Sequence, residues 1–221
     1  MLYIVATPIG NLEDITLRAL RFLKEVDLVL CEDTRETGKL LHHYEIKKPL
    51  KSFHAQSKLS RIDDIIEILR EGKSLALVTD AGTPAISDPG SFLIQKIKEE
   101  LPETKIVPIP GASALTAAFS ASGITGGEFT FLGFLPHKKG RETLFKEITQ
   151  GERAYVFYES PHRILKALES LDKFCPNKKV IIARELTKIF EEFVSGSPKE
   201  LLTYFNENAE KVRGEFVVMV A

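Results

Sequence analysis

Short apolar runs alternate with stretches whose apolar residues recur at helical spacing, and this alternation constrains the chain more than any other feature. Residues 2–6 and 28–31 read as strands, and between them Thr16 is placed to cap a helix carrying Leu17, Leu20 and Leu23. Leu59, Ile62, Ile65, Ile66 and Leu69 form a second helical stripe, which stops at Glu71-Gly72 and leads into a strand at 74–78. A further helix with Phe92, Leu93, Ile97 and Leu101 precedes a strand at 105–109. Strands separated by helices cannot pair as tight hairpins, so the pattern predicts a largely parallel sheet covered by helices. It pauses at Gly123, Gly126 and Gly127 and restarts at 129–133, which predicts two α/β domains, 1–123 and 124–221. In the second, helices are expected at 141–150 and 161–174 and strands at 154–158, 180–185, 190–195 and 216–220. Ser197-Pro198-Lys199-Glu200 supplies an N-cap, a first-turn proline and a capping box. Short turns between these strands predict a mixed sheet.

Composition removes several functional classes. With 43% hydrophobic and 28% charged residues, the 221-residue chain is neither disordered nor fibrous. Its formal charge of -1 supplies no global basic field to attract nucleic acid, so any RNA binding must use a local patch. Cys31 and Cys175 are too few and too far apart for a zinc cluster or a disulfide framework, which fits a reducing cytoplasm. Met1 to Pro8 lacks the basic and long apolar regions of a signal peptide. Residues 106–127 carry no charged side chain, a length that could span a bilayer. Pro108, Pro110 and Gly111 break the run near its start and three glycines near its end, which favours a strand, a turn and a short helix. No membrane association is expected, and no internal repeat is visible.

In open α/β sheets ligands settle beyond the carboxyl ends of strands, so the loops there carry the candidate chemistry. After the first strand, Thr7-Pro8-Ile9-Gly10-Asn11 suits either a tight turn that presents backbone amides to a ligand or an ordinary strand-to-helix turn. No G-x-G-x-x-G or G-x-x-x-x-G-K-[ST] pattern occurs, which argues against nicotinamide and P-loop chemistry. After the strand at 74–78 comes a long loop rich in turn formers, where Asp80, Thr83, Ser87 and Asp88 offer groups for an amine or a ribose. Asp88 equally suits a cap for the next helix, and Ser113 in Pro110-Gly111-Ala112-Ser113-Ala114 does the same for its own. Glu32-Asp33-Thr34-Arg35 and Glu159-Ser160-Pro161-His162-Arg163 follow strands and fit either active-site edges or solvated caps. His54 is either a general base or a plain polar residue. Pro136-His137-Lys138-Lys139-Gly140-Arg141 is a basic turn suited to phosphate or simply to solvent. No metal-ligand or serine-hydrolase motif is present.

Taken in order, residues 7–16, Glu32 to Arg35, the loop at 80–90, residues 110–114, Gly133-Phe134-Leu135-Pro136, Glu159 to Arg163 and Arg184-Glu185-Leu186-Thr187-Lys188 resemble the ribosomal RNA small subunit methyltransferase I family of the tetrapyrrole methylase superfamily. The resemblance covers essentially the whole chain. It implies two α/β domains with S-adenosylmethionine in the cleft between them, a homodimer, and 2'-O-methylation of a cytidine of 16S rRNA at the decoding centre. By position it implies cofactor contacts at Pro8, Gly10, Asp80, Gly82, Thr83, Ile86, Ser87, Asp88, Ser113 and Ala114. In the second domain it implies contacts at Tyr158, Glu159, Leu186, Gly214 and Glu215. Two departures stand out: relatives carry a histidine, acid, histidine, asparagine run where this chain has His54-Ala55-Gln56-Ser57, and many continue past the final strand with a helical extension.

The chemistry fits these residues. A sulfonium carries an activated methyl group, so alignment for in-line displacement is the main requirement and no metal is needed. A carboxylate or histidine that takes the 2'-hydroxyl proton contributes about 10²–10⁴-fold, and the candidates are Glu32, Asp33, His54 and Glu159. Arg35, Lys138, Lys139, Arg141 and Arg163 are candidates to hold RNA phosphates. A small-molecule methylase, a noncatalytic RNA-binding assembly factor and a nucleotide hydrolase are the competing classes.

Overall fold

A computed structural model describes residues 1–54 and 59–221. The chain divides into two compact units, Met1–Ser113 and Ala114–Ala221. In the first, elements follow in the order β1 (Leu2–Val5), α1 (Leu17–Glu25), β2 (Leu28–Cys31), α2 (Thr34–His43), β3 (Leu50–Ser52), α3 (Leu59–Arg70), β4 (Leu75–Leu77), α4 (Ser91–Glu100) and β5 (Ile106–Ile109). Among the described residues its sheet has the order β3-β2-β4-β1-β5 with every pair parallel.

The alternation of strand side chains explains the layering. Leu2, Leu30, Leu75 and Leu77 point to one face, where Ile62, Ile65 and Ile66 of α3 and Leu93 and Ile97 of α4 cover them. Val5, Val29, Cys31 and Ala76 point to the other, under Ala19 and Leu23 of α1 and Leu41 of α2. Crossovers that step from β1 toward β3 therefore lie on one face and those that return toward β5 on the opposite face, as right-handed connections require. Thr16 caps α1 as expected, accepting a hydrogen bond from the Ala19 amide at 3.0 Å. Two elements carry too little pattern to be read beforehand. Helix α2 buries only Thr37, Leu40 and Leu41, and β3 is a three-residue edge strand without a buried side chain.

The second unit runs α5 (Ala114–Ala121), β6 (Phe129–Phe134), α6 (Arg141–Gln150), β7 (Ala154–Glu159), α7 (Ile164–Phe174), β8 (Val180–Arg184), β9 (Glu192–Gly196), α8 (Pro198–Glu207) and β10 (Phe216–Val220). Its mixed sheet has the order β6-β7-β10-β8-β9, with β6 and β7 parallel and the remaining pairs antiparallel. Phe145, Phe157, Leu168, Phe205, Phe216 and Val218 form the centre of its core. The capping box of α8 is present: Ser197 accepts from the Glu200 amide, and the Glu200 carboxylate accepts from the Ser197 amide at 2.7 Å.

Several expected boundaries move. The units part at Ser113/Ala114 rather than near Gly123, because α5 packs with β10 and the Phe119 ring lies 4.3 Å from that of Phe129. The uncharged run at 106–127 splits into β5 and α5, and among the described residues no helix is long and apolar enough to cross a membrane. Helix α7 begins at Ile164 rather than at 161, since the residues before it form a turn closed by Arg163 N donating to Ser160 O at 3.0 Å. Strand β9 begins at Glu192 rather than at 190, because residues 185–191 form successive turns. The N-cap of α4 is Gly90, not Asp88.

Leu30 is fully buried at the centre of the first core, two residues before Glu32. Leu30→Ala should lower stability by about 2–5 kcal/mol, read by circular dichroism as a lower urea midpoint. A shift worth less than about 1 kcal/mol would contradict this packing.

Candidate functional site

Because all strands of the first sheet run in parallel, the loops that follow them emerge along one edge. In sheet order that edge carries His54 after β3, Glu32 and Asp33 after β2, residues 79–88 after β4, residues 7–10 after β1 and residues 110–113 after β5. Nearly every site residue expected from the first half of the sequence is thereby gathered. Neighbours β1 and β4 lead to helices on opposite faces, the kind of switch point at which such sheets take ligands.

At this point the two loops are tied. Thr7 N donates to Gly82 O at 2.9 Å, Gly82 N returns a bond to Thr7 O at 3.1 Å, and the Thr7 hydroxyl donates to Thr79 O at 3.0 Å. Gly82 sits at φ 85, a left-handed conformation that suits glycine. The neighbouring Thr83 hydroxyl donates to Ala112 O at 3.2 Å, which brings the loop after β5 into the same ledge. Pro8 is buried beneath it and Gly10 exposed. Farther along, Ala85 and Ser87 hold positive φ of 68 and 65, strain of about 1–3 kcal/mol each that the surrounding loop must sustain. Ile86 between them is exposed, as is Ser87, while Asp88 is half-buried.

The acidic residues of this edge are treated differently by their neighbours. Asp33 caps α2 and grips Arg35, whose Nη2 donates to Oδ2 at 2.6 Å; these bonds hold the Asp33 carboxyl down at about 2. Burial pushes Glu32 up, the charge of Asp80 adds to this, and the Thr79 hydroxyl and the charge of His54 oppose it. Partial desolvation of its carboxyl also raises Asp80, an otherwise exposed residue, against a hydrogen bond of 3.1 Å that its Oδ1 accepts from the Asp33 amide. Glu32, Asp80 and His54 thus form one interacting group, beside an Asp33 that stays ionised. Ala55, Gln56 and Ser57, the departure from the family's run, lie outside the described residues. Among the described residues no cluster suited to a metal ion occurs.

In the second sheet β6, β7 and β8 share a direction and β10 opposes them, so one edge collects residues 135–141, 159–163, 185–188 and 214–215. Glu159, at 1% exposure, is the hub of that edge. Its Oε2 accepts from Arg163 Nη2 and its Oε1 from the Ser160 amide, both at 2.9 Å, and Arg141 Nη1 stands 3.9 Å from Oε2. Arg163 also donates to Leu135 O at 2.6 Å and contacts His137 Nε2 at 3.2 Å. Arg141 is drawn down by burial and stacks over Phe145 at 5.3 Å. Two of the expected phosphate ligands are thus committed to a buried carboxylate, whereas Lys138 and Lys139 are exposed and Arg35 projects into solvent beside Asp33.

Nearby, Gly214 at φ 73 admits the Glu185 side chain, since a Cβ there would lie 1.7 Å from Glu185 Oε1. Glu185 in turn accepts from Lys188 at 2.9 Å, and Leu186 is buried beside it. Tyr158 packs its ring against Phe131 and Phe134. A second ionic group fastens the start of β9: Glu192 accepts from Arg184 Nε at 2.8 Å and from Tyr204 Oη and Lys211 Nζ at 2.6 Å each. Burial works against its ionisation, yet these donors hold its carboxyl at about 2. Thr79, Leu135 O and the Glu192 network escaped sequence reading, since each acquires its role only through partners distant in the chain.

The tetrapyrrole (corrin/porphyrin) methylase family profile matches residues 1–202. The ribosomal RNA small subunit methyltransferase I of Thermotoga maritima is 48% identical over 220 residues, covering 100% of this chain and 97% of that protein. The chain belongs to this methylase family. The protein of the same name from Leptospira biflexa is 45% identical, with 100% of this chain and 90% of that one covered. Among solved structures, a cobalt precorrin-4 methyltransferase covers 100% of this methylase at a TM-score of 0.69 and 19% identity, with 94% of its own chain matched. A uroporphyrin-III C-methyltransferase from Thermus thermophilus, complexed with S-adenosyl homocysteine, reaches 0.66 at 15% identity, covering 99% of this chain and 96% of its own. At such identities these structures establish the two-unit α/β fold of this methylase.

Glu159→Gln should destabilise the methylase by roughly 3–5 kcal/mol in urea unfolding, because it leaves the largely buried Arg163 and Arg141 without a counter-charge. An unchanged midpoint would mean that the ion pairs carry no stability. Asp33 titrates below its ordinary 3.8, so its contribution is present above that value and is lost as pH falls toward about 2. The melting temperature of Asp33→Ala should therefore lie below that of the parent by a constant margin above about pH 5, and the margin should close near pH 2.

Proposed function

We propose that this chain transfers a methyl group from S-adenosylmethionine to the ribose 2'-oxygen of a cytidine in 16S rRNA at the decoding centre of the small ribosomal subunit. The observation that carries this reading is the end-to-end alignment, at 48% identity, with a protein named ribosomal RNA small subunit methyltransferase I. Solved structures named as precorrin or uroporphyrin methyltransferases share the fold at 15–19% identity, too distant to favour their substrates.

The loop ledge of the first unit suits the cofactor. Exposed Asp80 and Ser87, half-buried Asp88 and the small residues at 81–83 offer groups for a ribose and an amine while leaving room for them. The residues that would hold it are Pro8, Gly10, Asp80, Gly82, Thr83, Ile86, Ser87, Asp88 and Ser113 in the first unit. In the second they are Ala114, Tyr158, Leu186, Gly214 and Glu215, whereas Glu159, at 1% exposure, is closed off from a ligand. When bound, the cofactor supplies an activated methyl on sulfur.

The chain must orient the ribose hydroxyl and accept its proton. Asp33 is held ionised by Arg35 and Glu159 is saturated by arginines, which leaves Glu32 with His54 and Asp80 beside it as the proton-accepting group. A carboxyl raised above its ordinary value is a better base than one held below it. Lys138, Lys139 and Arg35 meet RNA phosphates, while Arg141 and Arg163 fix the turn that presents the lysines. The protein works as a cytoplasmic homodimer, a reading that rests on the family resemblance.

The test is transfer of labelled methyl from S-adenosylmethionine to undermethylated small subunits, followed by nuclease digestion. Label should appear on a cytidine 2'-oxygen, and Glu32→Gln should lower kcat by about 10²–10⁴-fold. Cofactor binding without label on subunits or free rRNA would move the assignment to a small-molecule methylase.

A further inference from the structure

The Glu159 to Arg163 motif does more than build the buried ion pair. While Glu159 and Arg163 close on each other, His162 remains exposed and faces a concavity of about 580 Å³ wholly within the second unit. Its floor is apolar: Pro161 from the turn before α7, Leu165 from the first turn of α7, and Val212 from the segment that leads into β10, each half-buried. Its rim is polar and carries His162, Asn206 and Arg213, all exposed. The pocket lies between two stretches of the site edge, since Pro161-His162 follow Glu159 and Arg213 directly precedes Gly214-Glu215.

An apolar floor with an amide and two basic groups around it has a specific chemical complement. A planar heteroaromatic ring can lie on Leu165, Pro161 and Val212. The Asn206 amide, with a donor and an acceptor, can read a base edge, and Arg213 and His162 can meet a phosphate oxygen. A purely apolar ligand would leave the rim unused, and an inorganic anion would leave the floor unused. Resting on the rRNA assignment above, we infer that this pocket receives an unstacked nucleotide of the substrate RNA other than the methylated one, base on the floor and phosphate at the rim. It is then a specificity site that selects the sequence around the target, and Gly214 at its edge is the one lining residue it shares with the proposed cofactor set.

The experiment uses the full-length protein and a fluorescent single-stranded RNA spanning the target, with anisotropy read over a salt series, alongside KM for undermethylated subunits. Two variants probe the two halves of the pocket. Arg213→Ala removes the phosphate contact, and Ala209→Trp fills the concavity from an exposed lining position, sparing the core. Each should weaken RNA affinity and raise KM about tenfold, with Arg213→Ala also reducing the salt slope by about one. Melting temperature and the affinity for S-adenosylhomocysteine should stay at parental values, which a structural or cofactor-holding role would not allow. Parental affinity, slope and KM in both variants would overturn the inference while leaving the rRNA assignment intact. If the parent binds no RNA and methylates no subunit, the assignment itself fails and the pocket inference fails with it.

Discussion

The reciprocal backbone pair between Thr7 and Gly82 is the contact on which the first unit's site depends. Strands β1 and β4 lie side by side, but their helices leave on opposite faces, so the chain on either side of this point diverges. Without a tie, the two loops would expose backbone donors and acceptors at the end of a buried parallel sheet, where each unpaired group is costly. The pair satisfies those groups and fixes the spacing of the loops. Residues 83–88 then have a rigid base from which to hold left-handed conformations that isolated alanine and serine avoid.

The carboxylates show how placement divides roles among chemically similar groups. Asp33 and Glu192 are surrounded by donors and kept ionised, which makes them fasteners. Glu159 does the same work inside the second unit, where burial strengthens its attraction to Arg163 and makes the turn before α7 expensive to rearrange. Desolvation raises Glu32 and Asp80, and a neighbouring carboxylate adds to it in each case, Asp80 at Glu32 and Asp33 at Asp80, so their protons are held more tightly. Carboxyls raised in this way are better suited to accept a proton than those held low.

The parallel sheet was legible because β1, β2, β4 and β5 are short apolar runs separated by helical stripes; Leu23, Ile62, Ile65, Ile66, Leu69, Leu93 and Ile97 of those stripes are buried, whereas Leu17, Leu59 and Phe92, each in the first turn of its helix, are exposed. What escaped reading lacked a local signal. Strand β3 pairs at the edge through three residues with no buried side chain, and α2 carries a narrow apolar stripe interrupted by Gly38. The glycines at 123, 126 and 127 resemble a linker, yet the boundary is set by what α5 packs on, a long-range fact that no local composition records. The candidate site divides in the same way. The loops were visible as clusters of Pro, Gly, Ser and Asp, whereas the commitment of Arg141 and Arg163 to Glu159 depends on three segments meeting in space.

Strand order also has a consequence for how the chain comes together as it is made. Strand β1 is synthesised before the other strands described yet sits between β4 and β5, pairing Leu2 with Leu75 and Ile106. Strand β10 is made after every other strand described and fills the centre of its sheet, between β7 and β8. Neither sheet can close on partners that lie nearby in sequence, so both units have high contact order, and slow closure follows from the loop entropy that must be lost first. During translation the strands of the second unit wait with a central gap until Phe216–Val220 has emerged. A growing chain of this topology exposes unpaired strand edges for longer than one built from hairpins, and closure of the second sheet waits on β10.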